Sequence, residues 1–272
     1  MLISLSLKLF WRELKSGQLI IMFLALVLAV ATVSSISLFT DRLEKALISE
    51  TKEFLGGDLK FESNDLIEDK AYEKIKKLNL RTSETVQFAS MLSSEGNLQL
   101  ASIKAVDENY PLVGEIELQS KTSKELVKNP PDKNQVWLDS RLMEILDLKI
   151  GEMVSIGEAD FFISHIIISE PDRGSNSFAF AAKAIINMKD LARTNVIQPG
   201  SRARFSSLFA GEKNEISFLK NILENVKQPG DSIREASDST DSLGKAIERS
   251  GNFLLLGGLL AVLMAGFTIG IS

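Results

Sequence analysis

Residues 19–39 read LIIMFLALVLAVATVSSISLF, 21 residues without a charged side chain. At about 1.5 Å of rise per residue, a helix of that length spans roughly 31 Å. A hydrocarbon core is about 30 Å thick, so the run predicts a transmembrane helix. A second apolar run, FLLLGGLLAVLMAGFTIGI at residues 253–271, is nearly as long and predicts a second span. Residues 40–252 lie between them and have the composition of a soluble domain. The expected layout is a folded domain tethered to a membrane at both ends. A cleaved signal peptide is the rival reading of the first run, because Ala29, Val30 and Ala31 have the small-x-small form and a basic segment precedes them. The run continues through Ile36, Leu38 and Phe39, too far for the apolar region of a signal, and a retained span is the stronger reading.

Charge narrows the function classes. Apart from Lys8, Arg12, Lys15 and Glu13, every charged residue lies between the two runs, which leaves 28 basic and 35 acidic residues there. A net charge of −7 without a basic patch argues against nucleic acid, because phosphate binding is driven by clustered Lys and Arg. No cysteine is present, which excludes disulfides and thiolate chemistry.

The flanks of the first run have their own pattern. Ile3, Leu7, Phe10, Trp11 and Leu14 form one helical stripe, with Lys8, Arg12 and Lys15 on the other side. Residues 1–18 therefore predict an amphipathic helix in the lipid headgroup region, with Lys8, Trp11, Arg12 and Lys15 at the interface; docking on another protein helix is the alternative. Lys8, Arg12 and Lys15 precede the span while Arg42, Lys45 and Lys52 follow it, so charge counting leaves the orientation open. Residues 41–55 keep a helical pattern through Leu43, Leu47 and Phe54, and Gly56 with Gly57 supplies the stop. The span is thus expected to continue outward as a stalk.

Further along, residues 58–63 alternate as a strand, 65–77 read as a helix, and 83–106 as a hairpin turning at Ser94, Glu95, Gly96 and Asn97. Residues 110–114 read as a turn. Residues 121–134, with Pro130 and Pro131, read as a linker and the point of a subdivision. Strands are expected at 136–138, 151–157, 161–169, 177–187 and 202–210, with Asp139 or Ser140 capping a helix and an amphipathic helix at 214–227. From Ser239 a second stalk helix is expected to run into the second span.

The search for chemistry is mostly negative. Gly244 and Lys245 lack the rest of a phosphate-binding loop. His165 is a single histidine in an Ile/Phe-rich strand, where a structural role is expected, since a metal needs several convergent ligands. No serine sits in a nucleophile elbow. The chain is read as no enzyme, with no catalytic, cofactor-binding or metal-binding residue. Residues 170–174 (EPDRG) read as a strand-to-loop corner with an Asp–Arg pair, and Glu170, Asp172 and Arg173 are candidate contacts for a partner. In the second run Gly257, Ala261 and Ala265 recur every four residues beside Gly258, Gly266 and Gly270. With Ala25 and Ala29 of the first run, they predict close helix packing and further spans. The close on Gly270, Ile271 and Ser272, without a basic or aromatic anchor, predicts the front portion of a longer protein or a natural truncation.

LFWRELKSGQL, FTDRLEKAL, LGGDLKFES, YPLVGEIEL, VWLDSRLMEILDLKIGEMVSIG, ISEPDRGSNSFAFAAKAIINMKDL and QPGSRARF together resemble the FtsX-like, MacB-type ABC transporter permeases, the YbbP-type members among them. The resemblance covers nearly the whole chain. It implies an α+β fold, with two transmembrane helices flanking a mixed α+β extracytoplasmic domain like the periplasmic core of MacB. It also implies a bacterial inner-membrane location and a cytoplasmic N-terminus. No cofactor is implied in this chain, because ATP is bound by a separate ATPase subunit. Membrane lipids, a second permease copy and a periplasmic partner are further implied partners. The implied function is mechanotransmission, in which ATP hydrolysis drives extraction or export of lipids, lipoproteins or hydrophobic compounds. A membrane-anchored sensor or scaffold is the alternative from another class, and a secreted binding domain cleaved after Ala31 is a third.

Overall fold

The computed structural model describes residues 18–65, 69–172, 181–198 and 200–238, together with Arg249, Asn252, Phe253, Leu256 and Gly257. Two compact units emerge, residues 1–48 with 239–272 and residues 49–238. Helix α1 (Gln18–Leu55) is 38 residues long. It has the expected length because no Gly or Pro interrupts residues 18–55, and it stops where Gly56 takes φ 77°. There Gly56 N–H donates to the Glu53 carbonyl (3.2 Å) and Gly57 N–H to that of Lys52 (2.9 Å). Both orphan carbonyls are thereby satisfied in a Schellman motif.

Among the described residues, no helix is long and apolar enough to cross a membrane. The side chains of residues 18–23, 25, 26, 29 and 33 lie outside the described ones, as do residues 1–17 and most of 253–271. The expected amphipathic helix with Lys8, Trp11, Arg12 and Lys15, the small side chains of Ala25 and Ala29, and Ala261, Ala265, Gly266 and Gly270 all fall there. Gly257 is described as helical, with open space where a Cβ would stand.

The described residues of 49–238 build one mixed sheet of eleven strands with helices against it. In chain order these are β1 (Leu59–Ser63), α2 (Asp69–Ile75), β2 (Arg81–Ser94), β3 (Asn97–Val106), β4 (Ile116–Gln119), β5 (Lys124–Val127) and β6 (Gln135–Asp139). There follow α3 (Ser140–Ile145), β7 (Met153–Ile156), β8 (Ala159–Ser169), β9 (Lys183–Asn187), a 3-10 helix (Met188–Thr194), β10 (Ala203–Ala210), α4 (Lys213–Val226) and β11 (Ser232–Glu235). The strand order is β11-β1-β10-β2-β3-β9-β6-β8-β4-β5, and β7 pairs with both β2 and β8. The pairing therefore closes on itself through β2, β3, β9, β6, β8 and β7. Strand alternation fills this ring with Val86, Phe88, Leu92, Ile103, Val136, Leu138, Ile156, Phe161, Ile163 and Ile186, and Leu142 and Met143 of α3 join them. Asp139 caps α3 by accepting from Arg141 N–H, as its sequence position predicts.

Two further layers cover the rest. Ile216, Leu219 and Leu223 of the amphipathic α4 pack with Leu59, Phe61 and Phe209 on one side of β1 and β10. On the opposite face of the sheet, Tyr110, Leu112, Ile116, Leu118 and Trp137 form a second apolar cluster with Val106, Ile185 and Leu208. Both faces of β1, and of β3 from Ala101 to Val106, are consequently buried. The expected linker at 121–134 contains β5, whose residues Lys124–Val127 pair with β4. Its charged, exposed pattern is that of an edge strand and carries no apolar alternation to announce it.

Candidate functional site

The joint between α1 and the sheet is the feature around which the charged interior is arranged. Asp58 N–H donates to the Phe209 carbonyl at 2.8 Å, and Asp58's own carbonyl accepts from Ala236 N–H at 2.9 Å. Strand β11 lies antiparallel on β1, with Leu59 opposite Glu235. The segment arriving from α1 and the segment leaving through Ala236 thus meet at the same end of β1. Lys52 pairs with Asp58 at 2.5 Å. On the departing side, Lys220 of α4 reaches Glu235 (2.8 Å) and Asp238 (3.1 Å). The hydrogen bond to Glu235, outweighing partial burial, raises the pKa of Lys220.

Beside this joint lies a buried ionic cluster. Strand alternation sends Leu59 and Phe61 toward α4 and therefore sends Lys60 and Glu62 to the other face, where Lys104 of β3 and Lys183 of β9 also point. Residues 170–172 and Tyr110 close over them. Asp172 bridges two lysines, with Lys60 at 2.5 Å and Lys104 at 3.0 Å. Glu170 takes Lys183 at 2.6 Å and Lys104 at 3.4 Å. Lys60 also faces Glu62 at 3.0 Å, and Arg234 of β11 holds Glu62 from the other side at 3.2 Å. The Lys60–Glu62 contact is ionic, since Glu62 Oε1 has no hydrogen-bond partner among the described residues. The Lys104 ammonium donates to Tyr110 Oη at 2.7 Å, and the Tyr110 hydroxyl donates to the Pro171 carbonyl at 3.2 Å. The Lys60 and Asp172 side chains are only 1% and 2% exposed.

These groups lie in a medium where charges interact strongly. Burial alone would push the Lys104 ammonium down, but Asp172, and after it Glu170, hold its pKa well above the ordinary value. Burial pushes the Tyr110 phenol up, against the opposing effect of Lys104. Both groups keep their protons more tightly folded than unfolded. Their contribution to stability is therefore complete below their unfolded pKa values of about 10 and is lost as pH rises through the folded values. The urea midpoint of the purified protein is expected to hold between neutral pH and about 9.5, then fall. Tyr110→Phe is expected to soften that fall, and an equally steep one in the variant would remove Tyr110 as a source.

The cluster is tied to α1 through Asp172. Its backbone N–H donates to the Glu53 carbonyl in the last turn of α1, at 3.0 Å. A Cβ placed on Gly56 would stand 2.9 Å from Asp172 Cβ, so only glycine lets the helix end come this close. Gly114 makes the matching approach, where a Cβ would lie 3.0 Å from Glu53 Cγ and 3.1 Å from Pro171 Cβ. Asp172 itself adopts φ 57°, a left-handed conformation held by partners on every side.

Of the candidate partner contacts, Glu170 and Asp172 are buried and spend their carboxylates on lysines of the same chain, while Arg173 lies outside the described residues. The lysines that meet them, Lys60 and Lys104, are members of the site that sequence reasoning did not single out. A signal existed in ASIKAV, where Lys104 is a single charge inside an apolar strand. His165 Nε2 sits 2.8 Å from Glu125, its ring is edge-on to Trp137, and its buried Nδ1 has no hydrogen-bond partner among the described residues. Among the described residues, no group of three or more His, Asp or Glu side chains is placed to hold a metal ion.

The described geometry is a mixed α+β domain with a buried ionic joint at its root. No family model matches the chain. Over 263 residues, 97% of its length, the chain is 34% identical to the ABC transporter permease YbbP of Escherichia coli (strain K12). Over nearly its whole length it is thus similar to an ABC transporter permease, and it spans about a third (32%) of the length of YbbP. Two solved structures are also similar to it. The periplasmic region of MacB from Actinobacillus actinomycetemcomitans matches at a TM-score of 0.46 and 14% identity, covering 72% of this chain and 97% of that one. The extracellular domain of the noncanonic ABC-type transporter YknZ from Gram-positive bacteria matches at 0.41 and 8% identity, covering 61% and 88%.

Proposed function

We propose that the chain forms part of a permease subunit that transmits ATP hydrolysis by a separate ATPase subunit to an extracytoplasmic domain. That domain would extract or export lipids, lipoproteins or hydrophobic compounds in the cell envelope. Residues 19–39 and 253–271 cross the inner membrane in this reading, the intervening domain is periplasmic, and a second permease copy and a periplasmic protein complete the assembly. The observation that carries it is α1, whose 38 residues continue without a break from the apolar run to the joint at Gly56. At about 1.5 Å per residue the helix is about 57 Å long, roughly 26 Å more than the apolar run itself needs. Leu24, Val27, Leu28, Val30, Leu38 and Phe39 are all exposed along it. An exposed aliphatic rod is a liability in water and ordinary in lipid.

Affinity purification of the full-length protein from membranes is expected to bring down an ABC ATPase in fixed stoichiometry; its reproducible absence would overturn the reading. Given that complex, a Gly-Ser-Gly-Ser insertion after Thr40 is expected to leave basal ATP hydrolysis within about twofold, because in this reading the ATPase docks on the other side of the membrane. The same insertion is expected to abolish ATP-dependent change at a spin label on Asn97→Cys, at the β2–β3 turn. An ATP-dependent change that survives it would reduce α1 to an anchor.

A further inference from the structure

We infer that Asp172 is the clasp that makes the last turn of α1 and the sheet move as one body. Three observations converge on this residue. Its backbone N–H holds the Glu53 carbonyl of α1, and its Cβ packs on Gly56. Its carboxylate holds two strands at once, β1 through Lys60 and β3 through Lys104. It is also a non-glycine residue at φ 57° while almost fully buried.

Stability alone is a poor account of such an arrangement. Buried ion pairs gain little over well-packed apolar side chains, because desolvation cancels most of the attraction. What they supply is register, since a charge deprived of its partner in the interior is costly, whereas an apolar contact can slide. The left-handed conformation persists only because the partners over-determine it, which is the pattern found at functional sites. Displacement of the α1 terminus has a short path through Asp172 into the sheet: one backbone hydrogen bond, one side chain, two lysines. The Lys52–Asp58 pair is more exposed, at 38% and 17%, and reaches only the residue before β1. Asp172 is a positioning residue in this role and touches no substrate.

The consequence for transport rests on the permease reading, but the clasp itself is tested without nucleotide as well as with it. The chain has no cysteine, so Glu50→Cys on α1 and Asn97→Cys at the β2–β3 turn can be spin-labelled in the full-length protein within its membrane complex. In the otherwise native protein the interlabel distance is expected to be one narrow distribution, unchanged by ATP and vanadate. Asp172→Asn keeps the size of the side chain and tolerates positive φ, yet it removes the charge. It is expected to broaden the distribution at least twofold or split it, with the circular dichroism of the fold retained. Gly56→Ala reaches the same contact from the α1 side with every charge in place, and the same broadening is expected; it decides the matter if Asp172→Asn does not accumulate. Widths indistinguishable from the native protein in both variants, or a native distribution that itself splits on adding nucleotide, would overturn the clasp. Failure of the permease reading looks different, because no ATPase co-purifies while the nucleotide-free widths still separate the variants.

Discussion

Lys104→Met is expected to destabilise the protein by about 3–5 kcal/mol, the usual consequence of removing one partner from a buried ionic group. The methionine occupies nearly the same volume, so no cavity enters the account. What changes is that Asp172 and Glu170 each lose the Lys104 ammonium while staying buried inside the fold, Asp172 still against Lys60 and Glu170 still against Lys183. Tyr110 Oη also loses the donor it accepts from at 2.7 Å. In denaturant unfolding the midpoint is expected to fall with an unchanged slope, because the same surface is exposed on unfolding. A second substitution sharpens the test. Adding Asp172→Asn removes the surplus negative charge, and the double variant is expected to regain at least about 1 kcal/mol over Lys104→Met alone through the coupling of neighbours. A single variant within about 0.5 kcal/mol of the parent would show that water reaches the cluster and screens it.

Parts of this architecture are plain in the sequence because they are local. The stop of α1 is written in Gly56 and Gly57, the β2–β3 hairpin in SSEGN, and α4 in the spacing of Ile216, Leu219 and Leu223. The cap of α3 follows from Asp139 standing before a helical run. Other parts are settled only by what the chain folds against. LKFES alternates as a half-buried strand should, which marks Lys60 and Glu62 for solvent. The structure buries them at 1% and 2% because residues 170–172 and the Tyr110 loop cover that face. In the EPDRG segment, Asp172 finds Lys60 from 112 residues away and Glu170 finds Lys104 from 66 residues away, besides Lys183 at 13, and no short-range pattern announces the two distant pairings. Strands β4, β5 and β11 have four residues each, too few for a period of two to stand out. They form because a neighbouring edge is already in place.

Ring closure depends on a similar long-range detail, and Gly157→Ala is expected to cost about 2–5 kcal/mol. Gly157 turns the chain between β7 and β8 at φ 59°, where an alanine is strained by roughly 1–2 kcal/mol. Space is the larger problem. A Cβ there would fall onto the Thr194 carbonyl oxygen, well inside contact distance, and stand 2.6 Å from Val196 Cγ2. That carbonyl already accepts from Glu158 N–H at 2.9 Å, which ties the turn to the end of the 3-10 helix. Relief requires the backbone to move, and forced repacking of this kind adds about 1–3 kcal/mol. Since β7 pairs with both β2 and β8, a shifted turn loosens the strand that closes the ring. Amide exchange at Val154 and Ile156 is therefore expected to accelerate more than at Leu219 in α4. Gly96→Ala is the control, because Gly96 also has positive φ, 87°, but open space around it. Its cost is expected to stay at the roughly 1–2 kcal/mol of conformational strain. Equal losses in the two variants would mean that strain alone, and not the Thr194 contact, fixes glycine at position 157.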